Sequence, residues 1–298
     1  MRRWLTASVE AASHVADRSV LWMPGALAWM VTVGWLALIV GVARPATEAE
    51  LTFLGAAIFT SGMWPWNGIA IVVAGLLVAG AAIALASLAE AVLLHGRLAR
   101  VAEVGAIFAI GVACAIPLLV ATAALGSALV PIAPGEFNDP NASEGEALLR
   151  TLLALSPFAV AMVLAAVFGA AFHAAAIRAP RDPDGIRHSL AMAPAALLRA
   201  GTAAVAQVLA LVLARIGYLV LAAILLRVLW DPIDDRLGSE GFGVAAVLLL
   251  VGFVAIWLCL VLAGGALHAW GSVSWTRILG AREHEAGAVA NMESRSRP

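Results

Sequence analysis

Long apolar runs, separated by short polar stretches, dominate this 298-residue chain. A helix crossing the hydrocarbon core of a bilayer needs about 20 consecutive apolar residues. With no water there to satisfy the backbone, such runs must pair their N–H and C=O groups internally, as helices do. The first run covers about 21–43, with Pro24 tolerated in its opening turn and Arg44-Pro45 ending it. The second covers about 67–94 and stops at His95-Gly96-Arg97, and the third about 104–130, with Pro117 as an expected kink and Pro131 and Pro134 closing it. The fourth covers about 156–177 and places Pro157 in the favoured first turn. The fifth covers about 202–229, ending before Trp230-Asp231-Pro232, and the sixth about 243–270, with a helical extension toward Leu279. The pattern predicts an all-α, polytopic membrane bundle of six spans, one domain over 1–298 with a cytoplasmic tail at 280–298. The stretch Leu51–Thr60 is apolar but too short to cross, and reads as re-entrant or interfacial.

Two polar stretches carry helical periodicity. In residues 1–20, Leu5, Val9, Ala12, Ala16 and Val20 recur on one face, and Glu10, His14, Asp17 and Arg18 lie opposite. With Trp4 and Arg2-Arg3, this suits a helix lying on an anionic inner leaflet. A solvated helix packed on the cytoplasmic end of the bundle is the alternative. Before the fifth span, Asp182-Pro183-Asp184-Gly185 reads as a turn, with Asp184 capping a short helix that bears Ile186, Leu190 and Leu197. Pro194 then precedes the fifth span as Pro24 precedes the first. The even-numbered spans each end in a histidine followed by an arginine: His95/Arg97, His173/Arg178 and His268/Arg277. Three helical hairpins with a repeated plan emerge, a design found in transporters and in membrane proteins with no transport role.

Composition agrees with the pattern. The chain is 63% hydrophobic and 12% charged, against about 45–50% and about 25% in soluble domains. All 18 basic residues are arginine, a bias that points to a GC-rich bacterial genome. With the N-terminus inside, 13 arginines fall on the cytoplasmic side and only Arg44, Arg150, Arg227 and Arg236 outside, leaving Arg215 mid-span. By the positive-inside rule both termini are cytoplasmic, and the expected location is a bacterial inner membrane. Trp22, Trp270 and Trp275 fall at the inner boundary, and Trp64, Trp66 and Trp230 at the outer one. Cys114 and Cys259 lie inside apolar runs and read as small hydrophobes. No cleavable signal peptide is expected, because the first apolar run follows Glu10, Asp17 and Arg18 and has the length of a full span.

The block AFHAAAIRAPRDPDGIRHSLAMAPAALLRA, a span leaving the membrane into a basic amphipathic helix, together with the span count, resembles a loose group of six-span bacterial membrane proteins. The group includes the membrane domain that accompanies some glycerophosphodiester phosphodiesterases. The resemblance covers the general layout and implies a fold; the phosphodiesterase barrel is absent, and no activity follows.

Few residues can carry chemistry. Arg215 lies near the middle of the fifth span, where a cation costs at least about 2.5–3.5 kcal/mol. It reads as an anion or headgroup contact on a translocation path, as a structural pair with Glu90, Gln207, Tyr218 or backbone carbonyls, or as a snorkelling side chain. Gln207, two turns away, shares its face. Glu90, near the inner end of the second span, is suited to relaying protons, binding a cation or pairing with an arginine. His95, His173 and His268 share a depth and would bind a transition metal if their helix ends converged; otherwise they interact with helix C-termini. Asp231, Asp234, Asp235 and Glu240 form an acidic outer loop without EF-hand spacing. Asn141-Ala142-Ser143 is a glycosylation sequon by chance. Nucleotide-binding, metalloprotease, serine-hydrolase and dithiol motifs do not occur, so no catalytic residue, cofactor or nucleic-acid partner is expected.

The expected function is a non-enzymatic, transport-associated or scaffold component, with the lipid bilayer, protein partners or a second copy of the chain as partners. One alternative is an ABC-type permease subunit, with a separate ATPase docking on Arg97–Glu103 and Arg178–Arg199. Another is a membrane-embedded lipid enzyme using Glu90 and the histidines, with Arg215 holding a phosphate.

Overall fold

The computed structural model describes residues 2–43, 62–137, 143–179, 185–239 and 243–295. Their helices are α1 (Arg2–Asp17), α2 (Ser19–Val42), α3 (Trp66–His95), α4 (Val101–Phe137), α5 (Glu144–Ala176), α6 (Gly185–Ala200), α7 (Thr202–Ser239) and α8 (Val244–Arg295). Six of them, α2 to α5 with α7 and α8, are long and apolar enough to cross a membrane, so the protein is an all-α, multi-pass membrane protein. The segment Leu51–Thr60, the turn residues 182–184 and Glu240 lie outside the described residues.

Several helices extend beyond the ends expected from the apolar runs. The fourth span begins at Glu144, not near Ser156, and Pro157 is internal to α5. The proline has no N–H for the carbonyl of Leu153. The neighbouring Ser156 hydroxyl donates to that carbonyl instead, at 2.7 Å, so the break is mended within the helix. Ser143 caps the true start, its side chain accepting from the Glu146 N–H, and Glu146 pairs with Arg150 one turn on at 2.6 Å. Likewise α7 runs through Trp230-Asp231-Pro232 to Ser239, with Arg227 and Asp231 bridging that point at 2.9 Å. α4 continues past Pro131 and Pro134 to Phe137. Polar first and last turns are helical although a search for apolar runs stops short of them. The expected stop at His95-Gly96 is where α3 ends, because Gly96 adopts the left-handed conformation (φ 62°) and donates to the Val92 carbonyl.

The chain forms two compact units. One comprises Met1–Gly105 and Leu209–Arg277, and so holds α1, α2, α3, most of α7 and the membrane portion of α8. Its tightest joint is the crossing of α2 and α8. A Cβ on Gly25 would overlap the carbonyl oxygen of Gly265, and one on Gly265 would overlap the backbone of Ala26. One turn along, Trp29 is 2% exposed, and its indole lies against both Gly34 and Gly264. α2 widens into a π turn over Met30–Gly34, and the Thr32 hydroxyl takes up the loosened carbonyls of Ala28 (2.7 Å) and Trp29 (3.2 Å). Gly41 in turn abuts Leu226 of α7. Ala37, Ala222, Leu226, Ile233 and Phe253 form the apolar core there, with Trp230 edge-on to Phe253.

α1 docks on the opposite end of this unit by a face the apolar periodicity did not single out. Ala7, Ser8, Ala11 and Val15 are buried, whereas the periodic apolar residues remain outside, Leu5 at 58% and Val9 at 60% exposure. Indole N–H groups hold the dock: Trp270 Nε1 donates to the Ser8 carbonyl at 3.0 Å, and Trp22 Nε1 to the Val15 carbonyl at 3.0 Å. Arg277 pairs with Glu10. α1 thus packs on the bundle and still presents an apolar stripe outward.

The second unit comprises Ala106–Val208 and the chain from Ile278. Ile107 and Ile110 of α4 are fully buried, and Gly169 of α5 sits on the Cys114 carbonyl of α4. α6 packs on α5 with Ser189 and Ala193 inward, and Pro194 is accommodated within α6. Gly201 (φ 55°) turns the chain into α7.

The α2–α8 joint leads to a direct expectation. Gly25→Ala and Gly265→Ala should each destabilise the protein by about 1–3 kcal/mol through backbone overlap. Gly252→Ala, where the space is open, should leave it unchanged. Midpoints of SDS-induced unfolding of the three variants provide the comparison; equal midpoints would show that the helices do not touch there.

Candidate functional site

Three membrane helices of the first unit each bring one ionisable side chain to a common point. Glu90 lies on the last turns of α3, Arg215 on α7, and His268 on α8 with Ser272 one turn beyond it. His268 Nε2 is 2.8 Å from Glu90 Oε1, and Arg215 Nη2 is 3.4 Å from His268 Nδ1. The Ser272 hydroxyl donates to Glu90 Oε2 at 2.8 Å. His268 is 7% exposed and Ser272 6%.

The partners assign the proton on the imidazole. A guanidinium only donates, so Nδ1 accepts from Arg215 and Nε2 carries the hydrogen given to Glu90. The guanidinium and the carboxylate balance each other through the ring rather than by direct contact, and Arg215 feels the Glu90 charge. Both Glu90 oxygens are engaged. Arg215 is served less well: its Nε is buried without a hydrogen-bond partner among the described residues.

The neighbourhood follows from the α2–α8 joint. Gly264, His268 and Ser272 recur every four residues on α8 and share a face. Trp29, seated on Gly264, meets Tyr218 edge-on, with ring centroids 5.4 Å apart. Tyr218 lies one turn from Arg215, but its hydroxyl donates to the Leu260 carbonyl at 2.5 Å rather than serving the guanidinium's surroundings. On the other side of Arg215, Leu211 fits over Gly271. α2 carries no ionisable residue at all.

Of the candidates read from the sequence, Arg215, Glu90 and His268 come together. Gln207 is fully buried on α7, two turns before Arg215, in the second unit. His173 ends α5 in that same unit. His95 turns back on its own helix, its Nδ1 2.8 Å from the Ala91 carbonyl, and its Nε2 is 4.0 Å from Glu103, which also holds Arg97 at 2.7 Å. That is a helix C-terminal arrangement. Among the described residues no group of three or more His, Cys, Asp or Glu is placed to hold a metal ion, and His268 lies between the Arg215 and Glu90 charges instead. Asp231 is taken by Arg227. Ser272 was not singled out from the sequence; its i+4 spacing from His268 was the available signal. Comparison with models of known protein families, with curated proteins and with solved structures finds no match.

Removing the Ser272 hydroxyl withdraws a donor from a buried carboxylate and should cost about 1–3 kcal/mol. In the Glu90→Gln background, where the charge is gone, Ser272→Ala should cost less. A double-mutant cycle on SDS-induced unfolding measures the difference, and strict additivity would mean the two side chains do not interact.

Proposed function

We propose that this chain is a non-enzymatic, transport-associated component of a bacterial inner membrane, whose working part is the proton-binding centre of Glu90, His268 and Arg215. The observation that carries this reading is the linked set of three ionisable groups from three spans, two of them balanced only through a neutral ring. A purely structural role has no need of it, since apolar residues of similar volume pack such a position at equal or lower cost. Ionisable groups in a membrane interior are the usual marks of ion and proton pathways.

One added proton has two places to go. On His268 Nδ1 it sets an imidazolium against Arg215, and the contact at 3.4 Å must open. On Glu90 Oε2 it turns the Ser272 hydroxyl from donor to acceptor. Either way the centre passes from neutral to cationic: a proton on Glu90 removes the counter-charge of Arg215, and one on His268 sets a second cation beside it. The groups concerned are Glu90 from α3, Arg215 and Tyr218 from α7, and His268 and Ser272 from α8, while Glu10 of α1 is held by Arg277. The response is a push between α7 and α8, the kind of two-state element a transport cycle uses.

The arginine distribution supports cytoplasmic termini. The outward stripe of α1, Leu5, Val9, Ala12, Ala16 and Val20, continued by the exposed Met23 of α2, suits a membrane boundary, with the exposed Asp17 off that stripe.

Proteoliposomes on a solid-supported membrane should give a transient current after a pH jump with the wild-type protein, and little or none with Glu90→Gln or His268→Phe at equal protein density. No current from the wild type, or equal currents from all three, would overturn the proton reading.

A further inference from the structure

We propose that Arg215 holds a monovalent oxyanion and that one proton enters the Glu90–Ser272–His268 cluster with it. This rests on the reading of the centre as a proton-binding transport site and names the class of its cargo.

The guanidinium has five N–H donors. Among the described residues it makes one hydrogen bond, at 3.4 Å to a ring nitrogen, beyond the usual range. Its Nε lies buried with no acceptor. Glu90 Oε1 accepts from His268 and Oε2 from Ser272, each at 2.8 Å, and the contact that Arg215 makes is to His268 rather than to Glu90. Among the described residues, therefore, the centre contains a cation whose Nε has no acceptor and whose one hydrogen bond is long. A carboxylate or phosphodiester takes two such donors at once, in the fork geometry that guanidinium provides and ammonium does not.

Charge balance sets the valence. Arg215 and Glu90 together are neutral, so an anion arriving alone would leave one uncompensated negative charge in a medium that penalises it. A single proton on Glu90 Oε2 restores neutrality, with the Ser272 hydroxyl turning to accept it and His268 keeping its hydrogen on Nε2. A dianion would demand a second proton, and the remaining base, His268 Nδ1, faces Arg215. The site therefore favours one negative charge with one proton, and binding of each promotes the other.

The oxyanion comes either from solution or from a lipid headgroup, and two arms separate these sources. Isothermal titration of the full-length protein in detergent uses acetate and dimethyl phosphate as free probes, in two buffers of different ionisation heat. Native mass spectrometry compares retention of phosphatidylglycerol with that of phosphatidylcholine. A soluble cargo gives binding of a free probe with uptake of about one proton; a lipid cargo gives selective retention of phosphatidylglycerol. Arg215→Lys should weaken binding by about tenfold or more, since it keeps the charge and loses the fork. Arg215→Leu should abolish binding. Glu90→Gln should bind the anion without taking up a proton. If neither free probe nor phosphatidylglycerol binds selectively, the inference fails, while pH-jump currents would still uphold the proton reading. If an anion binds with no proton uptake and no current appears, the linkage and the proton reading fall together. Binding unchanged in Arg215→Lys and Arg215→Leu would remove Arg215 from the site.

Discussion

Where α2 crosses α8, the backbones meet at Gly25 and Gly265 with no side chain between them. In a bilayer the apolar surfaces of helices have no water to escape, so association depends on close packing and on polar contacts. The glycine pair supplies the first and makes room for the second. With the axes drawn together, Trp29 lies on Gly264, and His268, one turn further along α8, is brought to the depth of Glu90 and Arg215. Beyond it, Trp270 and Arg277 hold α1. The order of small, charged and aromatic residues along one stretch of α8 thus organises the whole first unit.

Much of this was visible in the sequence. Six helices follow from apolar length alone, because a bilayer leaves the backbone no other way to satisfy its polar groups. Arg215 and Glu90 stood out because a charge in an apolar run is costly and rare. Their partners were harder to see. A span that is apolar all round shows no preferred face, so periodicity does not reveal which neighbour a given side chain meets. His268 looked like His95 and His173 by depth, yet His95 turns back on its own helix and His268 reaches across to two others.

The helix ends and the dock of α1 were obscured for different reasons. The ends extend through polar turns that an apolar-run criterion discards, and Pro157 marks an internal position because Ser156 takes over the orphaned carbonyl. The buried face of α1 consists of Ala7, Ser8, Ala11 and Val15, residues of little apolar weight, while the heavier Leu5 and Val9 point outward. Small residues pack helices closely without announcing it in a hydropathy pattern. The tryptophans assigned to the membrane boundary, Trp22 and Trp270, also act as hydrogen-bond donors to α1.

The imidazole between Arg215 and Glu90 is what separates this centre from an ordinary buried ion pair. A direct pair has one favourable arrangement, in which each charge satisfies the other. With His268 interposed, the carboxylate keeps two donors of its own, and the guanidinium keeps unused hydrogens. Charge is balanced overall but unevenly satisfied, tight at the Glu90 end and loose at the Arg215 end. In the proposed reading, such asymmetry leaves a proton and an anion separate places to act within one neutral cluster. Because His268 and the grip on α1 lie on the same helix, a displacement of α8 at the centre also acts on α1, the helix with the outward apolar stripe.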